Sequence, residues 1–306
     1  MKYRATALGG DTELSVEREG LRIGSRFLDY AEILALRPIN HRVQIDTQSD
    51  GRLEISMLGF SFDGFWQELE ESYGKRSLEA LFVDETPIMQ CEGEYALPDE
   101  IGRGLIALYP DAVCILPPTC HALRIPLCYV QELVLDGYQL SLRMRSGLCF
   151  RVGKMGYDTK PFAERAQRQA LLVKQQRKTA LVQLPITEPF EVKGLFRTKQ
   201  PDQYWNAAFG SGVCALELFT GEDTATYLYR FSEPKDLFLG KLEEAMEALG
   251  VHREIIYLTD RQIAEKPLYR MAVDRSESVR FLRAHSDGRL IHSASHTQKL
   301  CEYLQA

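Results

Sequence analysis

Apolar and polar positions alternate with a period of two through the first sixty residues, and the period then lengthens to nearly four. Leu14 to Glu17 and Gly20 to Gly24 read as two strands flanking a turn at Arg18-Glu19. Arg26 to Leu36 suggests a further pair. Val43 and Ile45 alternate with Gln44 and Asp46, as a half-buried strand should. Ser49-Asp-Gly-Arg supplies a hairpin turn, because Asp-Gly accepts the positive φ such turns need. Leu53, Ile55 and Met57 then point inward. Beyond them Phe62, Trp66, Leu69 and Tyr73 fall on one helical stripe, with Gly74 as its expected stop.

The same order then recurs about 96 residues later. Leu105 to Tyr109 and Ala112 to Leu116 flank Pro110-Asp111. Leu127-Cys-Tyr-Val-Gln-Glu-Leu and Leu140-Ser-Leu-Arg-Met lead to a turn at Gly147, and Cys149-Phe-Arg-Val precedes a helix around Phe162. The second copy carries an additional loop, Pro117-Pro-Thr-Cys-His-Ala, that the first lacks. Residues 174–183 read as the end of that helix and a linker. A repeat of this length predicts a domain duplication.

The last third is less regular. Val213 to Phe219 and Ala225 to Phe231 predict a hairpin, and Pro234 opens a helix with Leu237, Leu242, Met246 and Leu249 inward. Glu254 to Leu258 and Leu268 to Val273 read as strands. Val279 to Arg283 and Ser286 to Ile291 read as another hairpin, followed by a short helix from about Thr297.

Short strands finished by one amphipathic helix resemble the pleckstrin-homology-like barrel, especially its bacterial versions. The residues that carry the likeness are Gly20-Leu-Arg-Ile-Gly, Tyr30-Ala-Glu-Ile-Leu-Ala-Leu, Asp50-Gly-Arg-Leu-Glu-Ile and Phe65-Trp-Gln-Glu-Leu. In the second copy they are Ala112-Val-Cys-Ile, Leu127 to Leu133, Gly147 to Val152 and Phe162-Ala-Glu-Arg-Ala, with an inward aromatic expected at 66 and at 162. The resemblance covers roughly residues 1–180. It implies two pleckstrin-homology-like antiparallel barrels, each capped by a C-terminal helix, over 1–86 and 87–183. The last third, which the resemblance does not reach, is expected to add an α+β domain of uncertain type over 184–306, making the chain mainly β with an α+β part. The resemblance also implies binding of lipid headgroups, peptides or other domains, rarely catalysis. Lipid-binding members carry clustered Lys and Arg around the first hairpin. Here that region reads Arg4-Ala-Thr-Ala-Leu-Gly-Gly-Asp-Thr-Glu, with an acidic tip, which favours a protein or peptide ligand or a scaffolding role.

Charge sharpens this picture. The chain has 306 residues and a formal net charge of −6, which argues against general nucleic-acid binding. Residues 1–86 carry −6, residues 87–183 carry +3 and the remainder carries −3, so only the middle part can present a basic face. Arg143 and Arg145 project from one side of a strand, Arg151, Lys154 and Lys160 follow in the next strand and loop, and Arg165 and Arg168 sit on the helix. The first five are the candidate binding residues, for an anionic partner or, alternatively, an anionic lipid surface.

Catalytic and metal signatures are not evident. The 7 cysteines form no CxxC pair and read as reduced thiols of a cytosolic protein, peripheral at the membrane if the lipid alternative holds. Cys120 and His121 are adjacent on an extended chain and point to opposite sides. His285, His292 and His296 lack the spacing of a metal site. No cofactor is expected. An enzyme remains the other alternative, with a site in the C-terminal part lined by His252, His285 or His292 and carboxylates. No apolar stretch is long enough to cross a bilayer.

Overall fold

The computed structural model describes residues 2–98, 100–144, 147–183, 203–210, 213–220, 223–231, 234–249 and 252–294. Side chains are described over most of these, but not at 129, 235, 243, 246, 247 or 253, nor over 176–183, 203–231 or 286–294.

The first repeat is a run of seven strands: β1 (Lys2–Ala7), β2 (Gly10–Val16), β3 (Gly20–Ile23), β4 (Arg26–Asp29), β5 (Ile33–Ile39), β6 (Arg42–Thr47) and β7 (Gly51–Ser56). Helix α1 (Phe62–Ala80) closes it. The strands form one antiparallel sheet in the order β4-β3-β2-β1-β7-β6-β5. The second repeat has β8 (Met89–Ala96), β9 (Ile101–Leu108), β10 (Ala112–Leu116), β11 (Leu123–Pro126), β12 (Val130–Asp136), β13 (Gln139–Met144), β14 (Cys149–Gly153) and α2 (Thr159–Gln183). Its sheet order, β11-β10-β9-β8-β14-β13-β12, is the same.

Equivalent positions lie 97 residues apart through most of the unit: Val43 pairs with Ile55 where Leu140 pairs with Val152, and Ile45 with Leu53 where Leu142 pairs with Phe150. The ladder also slips at the same place in both copies, between Ile33 and Ala35 and between Val130 and Glu132.

The sheets are open, not closed barrels. Closure would require β4 to pair with β5, and β11 with β12, but these are the free ends of the two ladders. A single 3-10 turn, Tyr30–Glu32, joins β4 to β5, and its Asp29 side chain accepts from the Ala31 N–H. Tyr30 N–H donates to Glu19 O at 3.0 Å, and the buried Tyr30 ring meets Tyr73 of α1 edge to face at 5.7 Å. The corner is thus filled by side chains. In the second repeat the turn Leu127–Tyr129 does the same, with Leu127 fully buried and its N–H donating to Asp111 O.

Helix α1 buries Phe62, Phe65, Leu69 and Tyr73 against the inner face of the first sheet. The aromatic equivalent to Phe162 is therefore Phe65, which is fully buried, while Trp66 is half-buried beside it. Gly74 does not stop the helix, which runs on to Ala80, nor does α2 end before Gln183.

The C-terminal part departs further from expectation. Strands β15 (Gln203–Gly210), β16 (Val213–Thr220), β17 (Asp223–Phe231) and β18 (Ser286–Ala294) form a four-stranded antiparallel sheet in that order, which contains the expected hairpin. Helix α3 (Lys235–Leu249) also forms, and it buries Leu242 and Leu249 as expected, but Leu237 is 45% exposed. The segments read as strands at 254–258 and 268–273 are instead a 3-10 turn, Arg253–Ile256, and helix α5 (Pro267–Arg275), with the short α4 (Asp260–Ala264) between them. Residues 279–283 lie in α6 (Glu277–His285), and Asp287-Gly288 sits inside β18 rather than in a turn. The short helix expected from Thr297 lies outside the described residues. Side chains of α3, α5 and α6 share a core with the second sheet: Phe238, Leu242, Ala245, Ala272, Val279 and Leu282 join Phe150, Val152 and Phe162. No described helix is long and apolar enough to cross a membrane.

Candidate functional site

The expected basic face is neutralised in part, because three of its described cations lie beside carboxylates while Arg151, Arg165 and Arg168 are exposed. Arg143 faces Glu132 at 3.2 Å, Lys154 faces Glu94 at 2.8 Å, and Lys160 lies 4.0 Å from Glu164 one turn along α2. Arg151 is exposed and enters no ion pair among the described residues. Arg145 lies outside them. Arg143 and Arg151 share the outward face of β13 and β14, because Arg143 stands opposite Cys149 and Arg151 opposite Ser141. Exposed pairs of this kind contribute little to stability, but each carboxylate offsets a positive charge that an anionic surface would otherwise meet.

Among the described residues the histidines do not converge; the side chain of His292 and the whole of His296 lie outside them. His252 stacks on Phe82 at 4.4 Å and lies 3.6 Å from Glu254, whose carboxylate accepts from Tyr269 OH at 2.5 Å. His285 instead meets the Phe281 carbonyl in its own helix at 3.0 Å. Among the described residues no group of three or more His, Cys, Asp or Glu has a metal-binding arrangement. Burial pushes the Cys120 thiol up, its largest influence, so the thiol holds its proton at neutral pH and is a poor nucleophile.

The arrangement with most chemical content lies at the sheet edges. The extra loop of the second repeat does not project into solvent. Thr119 bridges Ala35 of β5 in antiparallel fashion, Leu36 N–H donates to Pro118 O at 2.8 Å, and Cys120 N–H donates to Leu34 O at 2.9 Å. Residues 118–120 thus continue the first sheet by one short extended segment. Around it, Thr119 Oγ1 meets Glu100 at 3.4 Å, and the same carboxylate accepts from Tyr95 OH, whose ionisation burial pushes well above the usual phenol range. Arg275, at the end of α5, donates through Nε to Cys120 O at 3.2 Å and through Nη2 to Tyr73 OH at 3.1 Å. Residues from both repeats and from the C-terminal helices therefore meet here.

The matching edge of the second repeat, β12, carries no such segment among the described residues. Helix α2 runs beside it, and Gln167 Nε2 donates to Leu133 O at 3.3 Å, so the Leu133 peptide faces outward as that of Leu36 does. Leu133, Leu135 and Val173 are half-buried against the core, and Val134 and Leu172 are exposed at 43% and 44%. The result is a strand edge with no strand partner among the described residues, beside a helix whose Gln167 already holds the Leu133 carbonyl.

Sequence reasoning flagged the 117–122 loop as the place where the repeats differ, but not that it docks on β5. The equivalence of Leu36 and Leu133, 97 residues apart, was the available signal for the second edge. No signal marked Arg275, whose partners lie 155 and 202 positions away. No known protein-family model matches the chain, and no curated protein resembles it in sequence.

Proposed function

We propose that the chain is a non-catalytic binding module whose second repeat takes up an extended peptide segment along β12, beside α2. One observation carries this reading: the first repeat holds an extended segment at the equivalent edge, through Leu34 O and Leu36 N–H. Ninety-seven residues on, Gln131 O and Leu133 N–H occupy the same positions after the same ladder slip. Strand addition of this kind draws affinity from main-chain hydrogen bonds and specificity from alternate side chains. The order of seven strands and a closing helix resembles pleckstrin-homology-like domains, which supports a binding role over a chemical one.

Leu133→Pro tests the site, because proline is tolerated on edge strands while removing the outward N–H. Extended peptides of about eight residues, selected from a random display library on the full chain, are expected to lose tenfold or more in affinity for this variant. Equal binding to wild type and variant, with the thermal transition of the variant intact, defeats the β12 assignment.

Anionic lipid is the less favoured partner, because Arg143, Lys154 and Lys160 already face carboxylates. Sedimentation with vesicles containing about one-third anionic lipid is expected to leave the chain in the supernatant at both low and physiological salt. Salt-sensitive pelleting would restore the lipid reading.

A further inference from the structure

The segment that occupies β5 is held by few contacts. Two backbone hydrogen bonds flank the Ala35–Thr119 bridge, and residues 118–120 are only half-buried. Their main further anchor is Arg275, which is 6% exposed. Its guanidinium lies over the Tyr73 ring at 5.5 Å and donates to a carbonyl and a phenol. Its Nη1 is buried without a hydrogen-bond partner, and among the described residues Arg275 forms no ion pair. A guanidinium taken out of water needs strong acceptors to offset its desolvation, and a neutral carbonyl, a phenol and a ring face are weak ones. The group that would complete this environment is a carboxylate.

We infer that the β5 edge is a second strand-acceptor site, kept closed by the chain's own residues 118–120. An extended segment bearing a carboxylate at the position of Cys120 displaces the loop and pairs with Arg275. Arg275 ends α5, and Met271 of that helix packs on Ala31 and Ala80 of the first repeat, so the pairing would tie the β5 occupant to the C-terminal helices. This site is separate from β12, and either can fail without the other.

Cys120→Pro removes the N–H that binds Leu34 O and loosens the loop. The probes are a synthetic peptide of residues 115–122 and its counterpart carrying Asp in place of Cys120. By hydrogen exchange, the Leu36 amide is expected to exchange at least tenfold faster in Cys120→Pro than in wild type, and to be protected again by the Asp peptide. The Asp peptide is expected to bind Cys120→Pro at least tenfold more tightly than the unmodified peptide, and this advantage is expected to vanish when Arg275→Gln is added. Wild type is expected to bind both peptides more weakly, since its tethered loop competes at an effective concentration on the order of millimolar. Unchanged exchange at Leu36, or failure of both peptides to bind Cys120→Pro, overturns the inference. If Cys120→Pro lacks a cooperative unfolding transition, a variant with residues 117–121 replaced by the turn Asn-Gly vacates β5 and takes the same readouts.

Discussion

Phe162→Ala is expected to destabilise the chain by about 3–5 kcal/mol, the usual cost of emptying a buried phenylalanine site. Phe162 is fully exposed to neither solvent nor edge: it is 0% accessible and sits in a core that runs from the second sheet into α3, α5 and α6. The loss should therefore be felt by both parts at once. In urea denaturation followed by far-UV dichroism, with hydrogen exchange resolving the segments, residues 89–170 and 235–285 are expected to lose protection together. Phe65→Ala removes the equivalent ring from the first repeat, whose main described core cluster contains no residue of those helices and meets them only at its margin, through Met271 and Arg275. It should lower protection over residues 2–73 first. If Phe162→Ala leaves the protection of 235–285 untouched, the shared core does not couple the two parts.

Gly153→Ala is expected to be costly for a different reason. A Cβ built there falls 2.2 Å from Tyr138 O and 2.9 Å from Gln139 Cα, and both neighbours are backbone. Flexible side chains can give way to a methyl group; a paired strand cannot do so without moving. Gly153 stands opposite Gln139 at the end of the β13–β14 ladder and beside Glu94 of β8, so relief must open one of those pairings. Overpacking of a tight site costs about 1–3 kcal/mol and occasionally more, and the upper part of that range is expected here. Gly64→Ala, where the new methyl group meets nothing within 4 Å beyond its chain neighbours and the backbone of its own helix, is the control and should not destabilise. Equal denaturation midpoints for the two variants would contradict the close backbone approach.

How far the sequence could be read depended on how local each signal was. Strands such as β6 and β13 were legible because one face of each is buried, and alternation records that directly. Strands β1, β8 and β11 were not read, β10 is buried along its whole length, and Met57, expected inward, is 80% exposed. Phe65 and Trp66 show where local signals stop. Either residue completes a stripe with Phe62, Leu69 and Tyr73, since three- and four-residue steps both stay on one helical face. The 97-residue spacing of the strands, carried into the helix, selects Phe65. Residues 254–258 form a short apolar run, which suits a buried strand or a buried helical turn alike. The cues that favoured helix were adjacent: Thr259 and Gln262 form a capping box, and Pro267 starts α5. The open edges could not be read at all. Whether the first and last strands of a ladder meet depends on what fills the corner, and Tyr30 and Tyr73 are brought together only by the folded chain.

Under the proposed function, the short segment at residues 118–120 also sets a valence. Duplication gives the chain two equivalent edges, yet one of them is already spoken for by the chain itself. If β12 is the vacant acceptor, a peptide titration should reach saturation at one equivalent per chain, with a single-site isotherm and no avidity between repeats. A chain relieved of its 117–121 loop should take up a second equivalent. Two copies of one unit would then serve as one receptor and one reserve.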